Sequence, residues 1–325
     1  MPAYDEQEYT KSFDIKIWKR LGPYLRPRRR AFVLLIVLNL LTALVDAALP
    51  LFQRYAVAHF IEAGTLSGLW PFAIAYFAAI LMQSLSVMGF GNVSMGIEMY
   101  LGRDLRRRLF THLQELSFSF YNVTPVGYLI SRVMNDTNRI AGMLAWNLAD
   151  MLWALCYLIF VFISMLLLNW KLAIVVILVV PVVALLTAYF QNRILHWNRR
   201  VRKLSSRITG AFNEGIMGAK TSKTLVIEGA NDKEFEDLTG QARDSGVKAE
   251  KLSAVYIPLV LFCSTLAVAI VLYQGGHMSL DGVLGLSTLS AFVTYAVGIF
   301  EPVQILAEDL AVFISLQANI ERVTG

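Results

Sequence analysis

The fold of this chain is decided by long uncharged stretches such as Leu172–Phe190, whose sequence is LAIVVILVVPVVALLTAYF. A helix of about 20 apolar residues crosses the ~30 Å hydrocarbon core of a bilayer. Five further stretches are also predominantly apolar: Ala31–Phe60, Leu69–Met95, Ile140–Leu168, Ser253–Tyr273 and Val283–Leu306. The sequence therefore predicts an all-α membrane protein with six transmembrane helices.

Composition agrees with this class. Of the 325 residues, 56% are hydrophobic and only 16% are charged, whereas a soluble domain has about 25% charged residues. The net charge of +5 is compatible with nucleic-acid binding. However, the Lys and Arg residues are concentrated between the apolar stretches, as in the cytoplasmic loops of membrane proteins. We therefore expect no nucleic-acid partner.

The distribution of Lys and Arg predicts the orientation. Residues 1–30 hold eight of the 29, residues 103–139 hold six and residues 193–251 hold twelve. The connections Glu62–Gly68 and Gly275–Gly282 hold none, and Asn169–Lys171 holds one. Because positive residues stay inside, we expect both termini and the two long connections in the cytoplasm of a multi-pass cell (plasma or inner) membrane protein.

Residues 1–30 are predicted to form a cytoplasmic N-terminus with an amphipathic helix over Ser12–Leu25. Phe13, Ile17 and Leu21 recur there every four residues, and Lys and Arg side chains fall off this stripe. Such a helix lies in the membrane interface. The membrane domain proper is then expected to cover residues 31–325.

The two long connections, residues 96–139 and 191–252, have helical patterns. Apolar residues at helical spacing (Ile97, Leu101, Leu105, Leu109 and Leu113) predict that the second span continues far beyond the membrane, to a turn over Asn122–Gly127. The fourth span continues through His196–Arg207, reaches a stretch punctuated by Gly210, Gly215 and Gly218, and returns through Asp232–Lys251. Two arms of about 30 Å each indicate a machine driven by a cytoplasmic domain.

These residues resemble the transmembrane domain of bacterial ABC exporters in their six-helix half-transporter form, and the resemblance covers nearly the whole chain. In the first arm it is carried by Leu105-Arg106, Leu109-Phe110, Leu113, Leu116-Ser117, Phe120-Tyr121, Gly127, Ser131-Arg132 and Asp136. In the second arm it is carried by Asn213-Glu214, Gly218–Leu225 (GAKTSKTL), Glu228 and Phe235. Elsewhere it is carried by Trp18, Tyr24-Leu25, Pro27, Gly275-Gly276, Pro302 and Arg322-Val323.

The resemblance implies that each arm ends in a short coupling helix that docks on an ATPase domain. The regions similar in position are Ser117–Pro125 and Ser206–Gly215. The coupling residues implied there are Ser117, Phe118, Phe120, Tyr121, Asn122, Thr124, Ile208, Thr209, Phe212, Asn213 and Glu214. It also implies a dimer of two such domains, identical or paralogous, in which ATP binding turns the cavity from inward- to outward-facing.

The chain has no Gly-x-x-x-x-Gly-Lys-[Ser/Thr] phosphate loop and no acidic Walker B strand. We therefore expect no catalytic, cofactor-binding or metal residues here, with ATP and Mg²⁺ bound by a nucleotide-binding domain. The resemblance places that domain soon after Arg322, so we expect the sequence to be cut from a longer ATP-hydrolysing translocase. A separate ATPase subunit is the alternative.

Ionisable side chains are costly inside a membrane, so each one is a candidate for a functional site. Asp46, Arg54 and Glu301 are candidates for a substrate cavity. The alternative for Asp46, and similarly for Glu301, is a structural pair that is satisfied between helices or near the outer water interface. Met88 and Met95 share one face of the second span, and Phe292 and Tyr295 one face of the last. Soft and aromatic side chains suit an adaptable binding wall, although ordinary packing explains them as well.

The sequence thus favours an ATP-driven exporter that moves amphiphilic drugs, lipids or peptides out of the cell. A secondary transporter driven by an ion gradient is the first alternative, although no internal repeat of the kind common in that class is visible. A membrane-anchored sensor or scaffold, whose arms bind a regulatory partner without transport, is the second.

Overall fold

The computed structural model describes residues 22–124 and 126–324, and these residues form helices joined by short turns, with no strand among them. The helices, in chain order, are α1 Gly22–Leu25, α2 Arg29–Ala56, α3 Leu69–Glu115, α4 Phe118–Val123, α5 Val126–Ser131, α6 Thr137–Gly142, α7 Leu148–Leu168, α8 Trp170–Met217, α9 Ala219–Leu225, α10 Glu228–Leu280, α11 Leu286–Gly298 and α12 Phe300–Thr324.

In the described part of the chain, π-helical segments and a 3₁₀ turn continue the rod-like helices without a loop. The 3₁₀ turn Arg26–Arg28 leads into α2, and the π segment Val57–Glu62 extends α2 at its C-terminal end. The π segments Arg132–Asp136 and Met143–Asn147 join α5, α6 and α7. The first and third apolar stretches therefore each form one nearly continuous helix with their flanks.

Six helices in the described residues are long and apolar enough to cross a membrane, which confirms the predicted number. They cover Arg26–Glu62, Leu69–Glu115, Val126–Leu168, Trp170–Met217, Glu228–Leu280 and Leu286–Leu310.

The last predicted span needs two corrections. Its helix begins at Leu286 instead of Val283, because Gly282 has a positive φ of 74° and turns the chain. The span is also interrupted between Gly298 and Phe300. Pro302 lacks the N–H that would bond to the carbonyl of Gly298, which explains the interruption.

The first arm is helical as predicted. Helix α3 runs for 47 residues without a break, a length of about 70 Å, so the second span and the outgoing half of the arm are one rod. Leu116 and Ser117 are extended and end it. The predicted turn is shorter than expected, since α5 already begins at Val126 and includes Gly127.

The second arm differs from the prediction. Helix α8 continues through Gly210 and Gly215 to Met217, and the chain leaves the helix only at Gly218. A glycine inside a helix costs about 1 kcal/mol relative to alanine, which a 48-residue helix tolerates. At Gly218 an added Cβ would lie 2.9 Å from the carbonyl oxygen of Glu214, so the close turn there needs glycine.

The chain forms two compact units, the first reaching to Leu178 and resuming at Val268, the second covering Val179–Ala267. In the first unit, α3, α6 and α12 share a buried cluster that includes Leu105, Ile140 and Ile320. A second cluster joins α2 to α3 and the start of α7 through Leu35, Ile97 and Ala149. In the second unit the buried residues include Val183, Leu204, Ala249, Tyr256 and Val260.

The predicted interfacial helix lies mostly outside the described residues, since Ser12–Leu21 are not among them. Its last turn, Gly22–Leu25, is helical. Just after it, the Arg28 guanidinium lies 3.4 Å from the centre of the Tyr100 ring, which ties the entry to α2 to the middle of α3.

Candidate functional site

The candidate site in the membrane is centred on Asp46, in the middle of α2. Its Oδ2 accepts a hydrogen bond from the indole N–H of Trp153 on α7 at 2.9 Å, and its Oδ1 accepts one from the side-chain amide of Gln83 on α3. Among the described residues Asp46 forms no ion pair. In the described residues the carboxylate thus accepts hydrogen bonds from neutral donors on two other helices.

Among the described residues, Arg54 bonds to the last span and forms no ion pair with a carboxylate. Its Nε donates to the Thr288 hydroxyl at 3.0 Å. The neighbouring Gln53 donates to Ser290 at 2.8 Å and accepts from the Thr294 hydroxyl at 3.0 Å. Helices α2 and α11 thus share a polar seam. The sequence signal for this seam is the run of hydroxyl residues in the last span (Ser287, Thr288, Ser290 and Thr294), which the hypotheses drawn from the sequence do not include.

Glu62 extends this seam to the N-terminal start of α11. Its carboxylate Oε1 accepts the backbone N–H of Ser287 at 2.8 Å. The first backbone N–H groups of a helix have no partner within the helix, and the helix dipole favours a negative charge at that position. A residue at the end of the first span therefore caps the last span.

The predicted cavity residues separate into two groups. Phe292 and Tyr295 are fully buried, and the Tyr295 hydroxyl donates to the carbonyl of Ala47 at 2.7 Å. Met88 and Met95 lie on an outer face of α3, 68% and 57% exposed. Glu301 is also exposed. In the described residues of one chain, Phe292 and Tyr295 are therefore packed in the interior, whereas Met88, Met95 and Glu301 lie at the surface.

A second carboxylate–tryptophan pair involves Trp146, seven residues before Trp153. Glu98 of α3 accepts the indole N–H of Trp146 at 2.9 Å, just as Asp46 accepts that of Trp153. Asn147, next to Trp146, donates to the buried Asp309 of α12 at 2.7 Å. Helix α7 and the π segment Met143–Asn147 before it thus bond to three carboxylates, which lie on α2, α3 and α12. The spacing of these residues along the chain does not predict the pairing of Glu98 with a tryptophan.

At the tip of the first arm, a separate short helix presents aromatic residues. Helix α4 follows the extended Leu116 and Ser117, and Phe118 at its start is 90% exposed. Tyr121 donates its hydroxyl to the carbonyl of Leu113 at the end of α3, and its ring lies edge-on to Phe120. The predicted tip residues Ser117, Asn122 and Thr124 lie on or beside this helix, whereas Pro125 is outside the described residues.

At the tip of the second arm, the residues predicted to form a coupling helix lie within α8. Ile208, Thr209, Phe212, Asn213 and Glu214 belong to its last turns, and the separate short helix is α9, Ala219–Leu225. A cavity of about 720 Å³ lies between the end of α8, α9 and the start of α10, and Phe212, Glu214, Lys223 and Phe235 are among its lining residues.

A metal centre requires a group of His, Cys, Asp or Glu side chains close together. In the described parts of the chain no three His, Cys, Asp or Glu side chains come together as a metal site. Cys156 and Cys263 are free and half-buried.

Comparison with known proteins adds a family match. Residues 32–303 match the family model of the ABC transporter transmembrane region. Curated relatives include the putative multidrug export ATP-binding/permease protein YgaD of Bacillus subtilis, 25% identical over 94% of this chain and 54% of the relative. They also include the uncharacterized ABC transporter ATP-binding protein YfiC of the same organism, 28% identical over 94% and 50%. The ATP-dependent lipid A-core flippase of Syntrophus aciditrophicus is 25% identical over 89% and 48%. The chain spans about half the length of these relatives.

Proposed function

Because the chain belongs to the family of ABC transporter transmembrane regions, we propose that it is the membrane part of an ATP-driven exporter for amphiphilic molecules. Two such domains, identical or paralogous, enclose a cavity that opens alternately to the two sides of the membrane. ATP and Mg²⁺ bind to a nucleotide-binding domain that is either fused to this sequence or associated with it.

The observation that carries this proposal is the first arm. A 47-residue helix leaves the membrane and ends in a short helix whose Phe118 side chain is 90% exposed. An apolar side chain on an isolated surface helix favours a protein partner, because a few buried aromatic anchors supply most of the energy of an interface. A continuous helix transmits a displacement of that partner to the membrane.

We assign the coupling role to both arm tips, with different support. At the first tip, the proposed coupling residues lie on α4 or directly beside it: Ser117, Phe118, Phe120, Tyr121, Asn122 and Thr124. At the second tip, Ile208, Thr209, Phe212, Asn213 and Glu214 form the end of α8, and Phe212 is 57% exposed. We propose that the end of α8 and the cavity beside it are covered together by the ATPase domain.

The proposed orientation follows from the positive residues. Both termini and both arms face the cytoplasm, in agreement with the concentration of Lys and Arg in residues 1–30, 103–139 and 193–251. Residues 1–30 serve as the interfacial segment, and residues 31–325 as the membrane domain.

The proposed substrates are amphiphilic drugs, lipids or peptides. Relatives are named for multidrug export and for lipid A-core flipping, and the exposed Met88 and Met95 offer an adaptable apolar wall. Both side chains are exposed in the single chain, and in this proposal the second domain of the dimer closes the cavity against their face of α3.

A transport assay tests the proposal. The chain together with its ATPase domain is reconstituted in vesicles, and efflux of a fluorescent amphiphile is followed with ATP, with a non-hydrolysable analogue, and with ATP plus an uncoupler. ATP-dependent efflux that is insensitive to the uncoupler is expected. Efflux that persists without ATP and stops with the uncoupler would identify a gradient-driven carrier. Specific binding of a partner with no efflux in any condition would identify a sensor or scaffold.

A further inference from the structure

A groove of about 420 Å³ lies between α8 and α10, within the second unit. From α8 it is lined by Tyr189, Arg193 and Trp197, which recur every four residues and so share one helix face. From α10 it is lined by Lys248 and Lys251, with Val255 one turn further on. None of these residues belongs to the arm tips or to the polar contacts around Asp46.

The charged side chains that line the groove are all positive. Three cations line it and no carboxylate does. In the described residues Arg193, Lys248 and Lys251 form no ion pair. The Lys248 ammonium lies 4.7 Å from the centre of the Trp197 ring, and the Arg193 guanidinium lies 5.7 Å from that of Tyr189. Such contacts position the cations over the ring faces but leave their N–H donors without an anionic acceptor.

The groove lies where both helices change from apolar to charged. The predicted spans end at Phe190 on α8 and begin at Ser253 on α10, so Tyr189 and Val255 fall just inside the apolar part and Arg193 and Lys251 just outside it. Tyr and Trp rings are enriched at this depth of a bilayer, at the level of the lipid headgroups.

The two walls of the groove are held together by buried contacts. The Tyr256 hydroxyl on α10 lies 3.3 Å from the Thr187 hydroxyl on α8, and the Tyr256 ring packs 5.7 Å from Phe190. Ala249 and Val260 of α10 are also buried. The three cations therefore line a space whose two helical walls contact each other directly.

We propose that this groove binds the phosphate group of an anionic phospholipid such as phosphatidylglycerol. Arg193, Lys248 and Lys251 supply charge-assisted hydrogen bonds to the phosphate oxygens. Tyr189 and Trp197 pack against the glycerol region, and the acyl chains lie along Val255. The absence of a carboxylate among the lining residues gives the site its preference for a negative headgroup over a zwitterionic one.

The test uses the full chain purified in detergent and native mass spectrometry, with phosphatidylglycerol and phosphatidylcholine titrated separately. The variant Arg193→Gln/Lys248→Gln/Lys251→Gln removes the groove cations. The matched control Arg202→Gln/Lys203→Gln/Lys233→Gln removes the same charge from exposed positions of α8 and α10 outside the groove. Single Lys251→Gln serves as a milder variant, and elution volume and helical content confirm that each variant is folded.

The wild-type chain is expected to bind phosphatidylglycerol more tightly than phosphatidylcholine. The groove variant should bind phosphatidylglycerol about tenfold or more weakly, because each cation near an anionic headgroup contributes on the order of 1 kcal/mol. The control should retain the wild-type affinity, and millimolar inorganic phosphate should not displace the lipid. Equal affinity for the two lipids, or equal losses in the groove and control variants, would overturn the proposal. Displacement by inorganic phosphate would also overturn it, by identifying a soluble phosphate as the ligand.

Discussion

Trp153 donates its indole N–H to the Asp46 carboxylate at 2.9 Å across two membrane helices. Both groups would be poorly solvated in the bilayer interior if they were separate, since an unpaired polar group there has no water to bond. The pair is repeated by Trp146 and Glu98 one heptad earlier, so α7 and the segment before it are oriented by two tryptophans that present N–H donors to carboxylates of other helices.

Asp46→Asn should destabilise the protein by about 1–2 kcal/mol, because the amide loses the charge that strengthens two hydrogen bonds. Trp153→Phe should destabilise it by a similar amount, and the double variant by less than the sum of the two. Unfolding in detergent provides the measurement, and Met88→Leu, an exposed site, is the control. Additive losses would show that the two residues are energetically independent.

The same Asp46→Asn variant should reduce efflux of a cationic and a neutral substrate alike, because Asp46 is occupied by protein donors. Efflux of both compounds is measured in parallel with protein stability. A selective loss of the cationic substrate in a fully stable protein would instead place Asp46 in the substrate path.

Gly298→Ala should destabilise the protein, because the added Cβ would lie 2.6 Å from the Tyr157 hydroxyl oxygen. Overpacking of this kind costs about 1–3 kcal/mol. Removal of the hydroxyl in Gly298→Ala/Tyr157→Phe should recover most of the loss, since the next ring atom is 3.7 Å away.

Gly91→Ala is the matched control for that prediction, because no atom lies within 4 Å of the position that an added Cβ would take there. It should leave stability unchanged or raise it slightly, as alanine is the better helix former. If Tyr157→Phe fails to rescue Gly298→Ala, the clash with the hydroxyl is not the cause of the loss.

Glu62→Ala should lower stability by about 1 kcal/mol, the usual effect of losing a helix cap, because it leaves the Ser287 N–H without its acceptor. Glu62→Gln should lower it less, since the amide oxygen still accepts a hydrogen bond. Glu236→Ala, an exposed carboxylate of α10, is the control in the same melting experiment. Equal effects of Glu62→Ala and Glu236→Ala would argue against the cap.

Phe118→Ala should leave the membrane domain folded but abolish most substrate-stimulated ATPase activity, because a central aromatic anchor of an interface contributes about 2 kcal/mol or more. Phe110→Ala, another exposed phenylalanine on the shaft of the arm, is the control. Unchanged stimulation by substrate in Phe118→Ala would exclude α4 as the docking element.

The orientation is tested with single cysteines in a variant without Cys156 and Cys263. Cysteines at Ser67, Lys171 and Asp281 should react with an impermeant thiol reagent in intact cells, and cysteines at Asn122 and Asp232 should not. In the connection Asn169–Lys171 the cysteine is placed at Lys171. Asn169 is kept because its side chain accepts the backbone N–H groups of Lys171 and Leu172 and so caps α8. Reaction of the second set from outside would invert the proposed topology.

The course of the first arm was predictable because it depends on a local pattern in the sequence. The continuation of the second span through Leu105 and Leu113 follows from helical spacing alone, and α3 confirms it. The residue at which the chain turns at the end of the second arm could not be predicted in this way. Gly210, Gly215 and Gly218 have similar sequence signals, yet only Gly218 makes a turn so close that a Cβ would meet the carbonyl of Glu214.

What the sequence by itself determined was the membrane class, the number of spans, the helical arms and the family resemblance, because these depend on the order of apolar, charged and turn-forming residues along the chain. Only the tertiary structure decided which polar groups meet. It placed Asp46 against Trp153 and Glu62 against Ser287, and it buried Tyr295 while leaving Met88 exposed. The physical reason is that apolar spans are nearly interchangeable in a bilayer, so the rotation and neighbours of each helix are set by contacts between residues far apart in the chain.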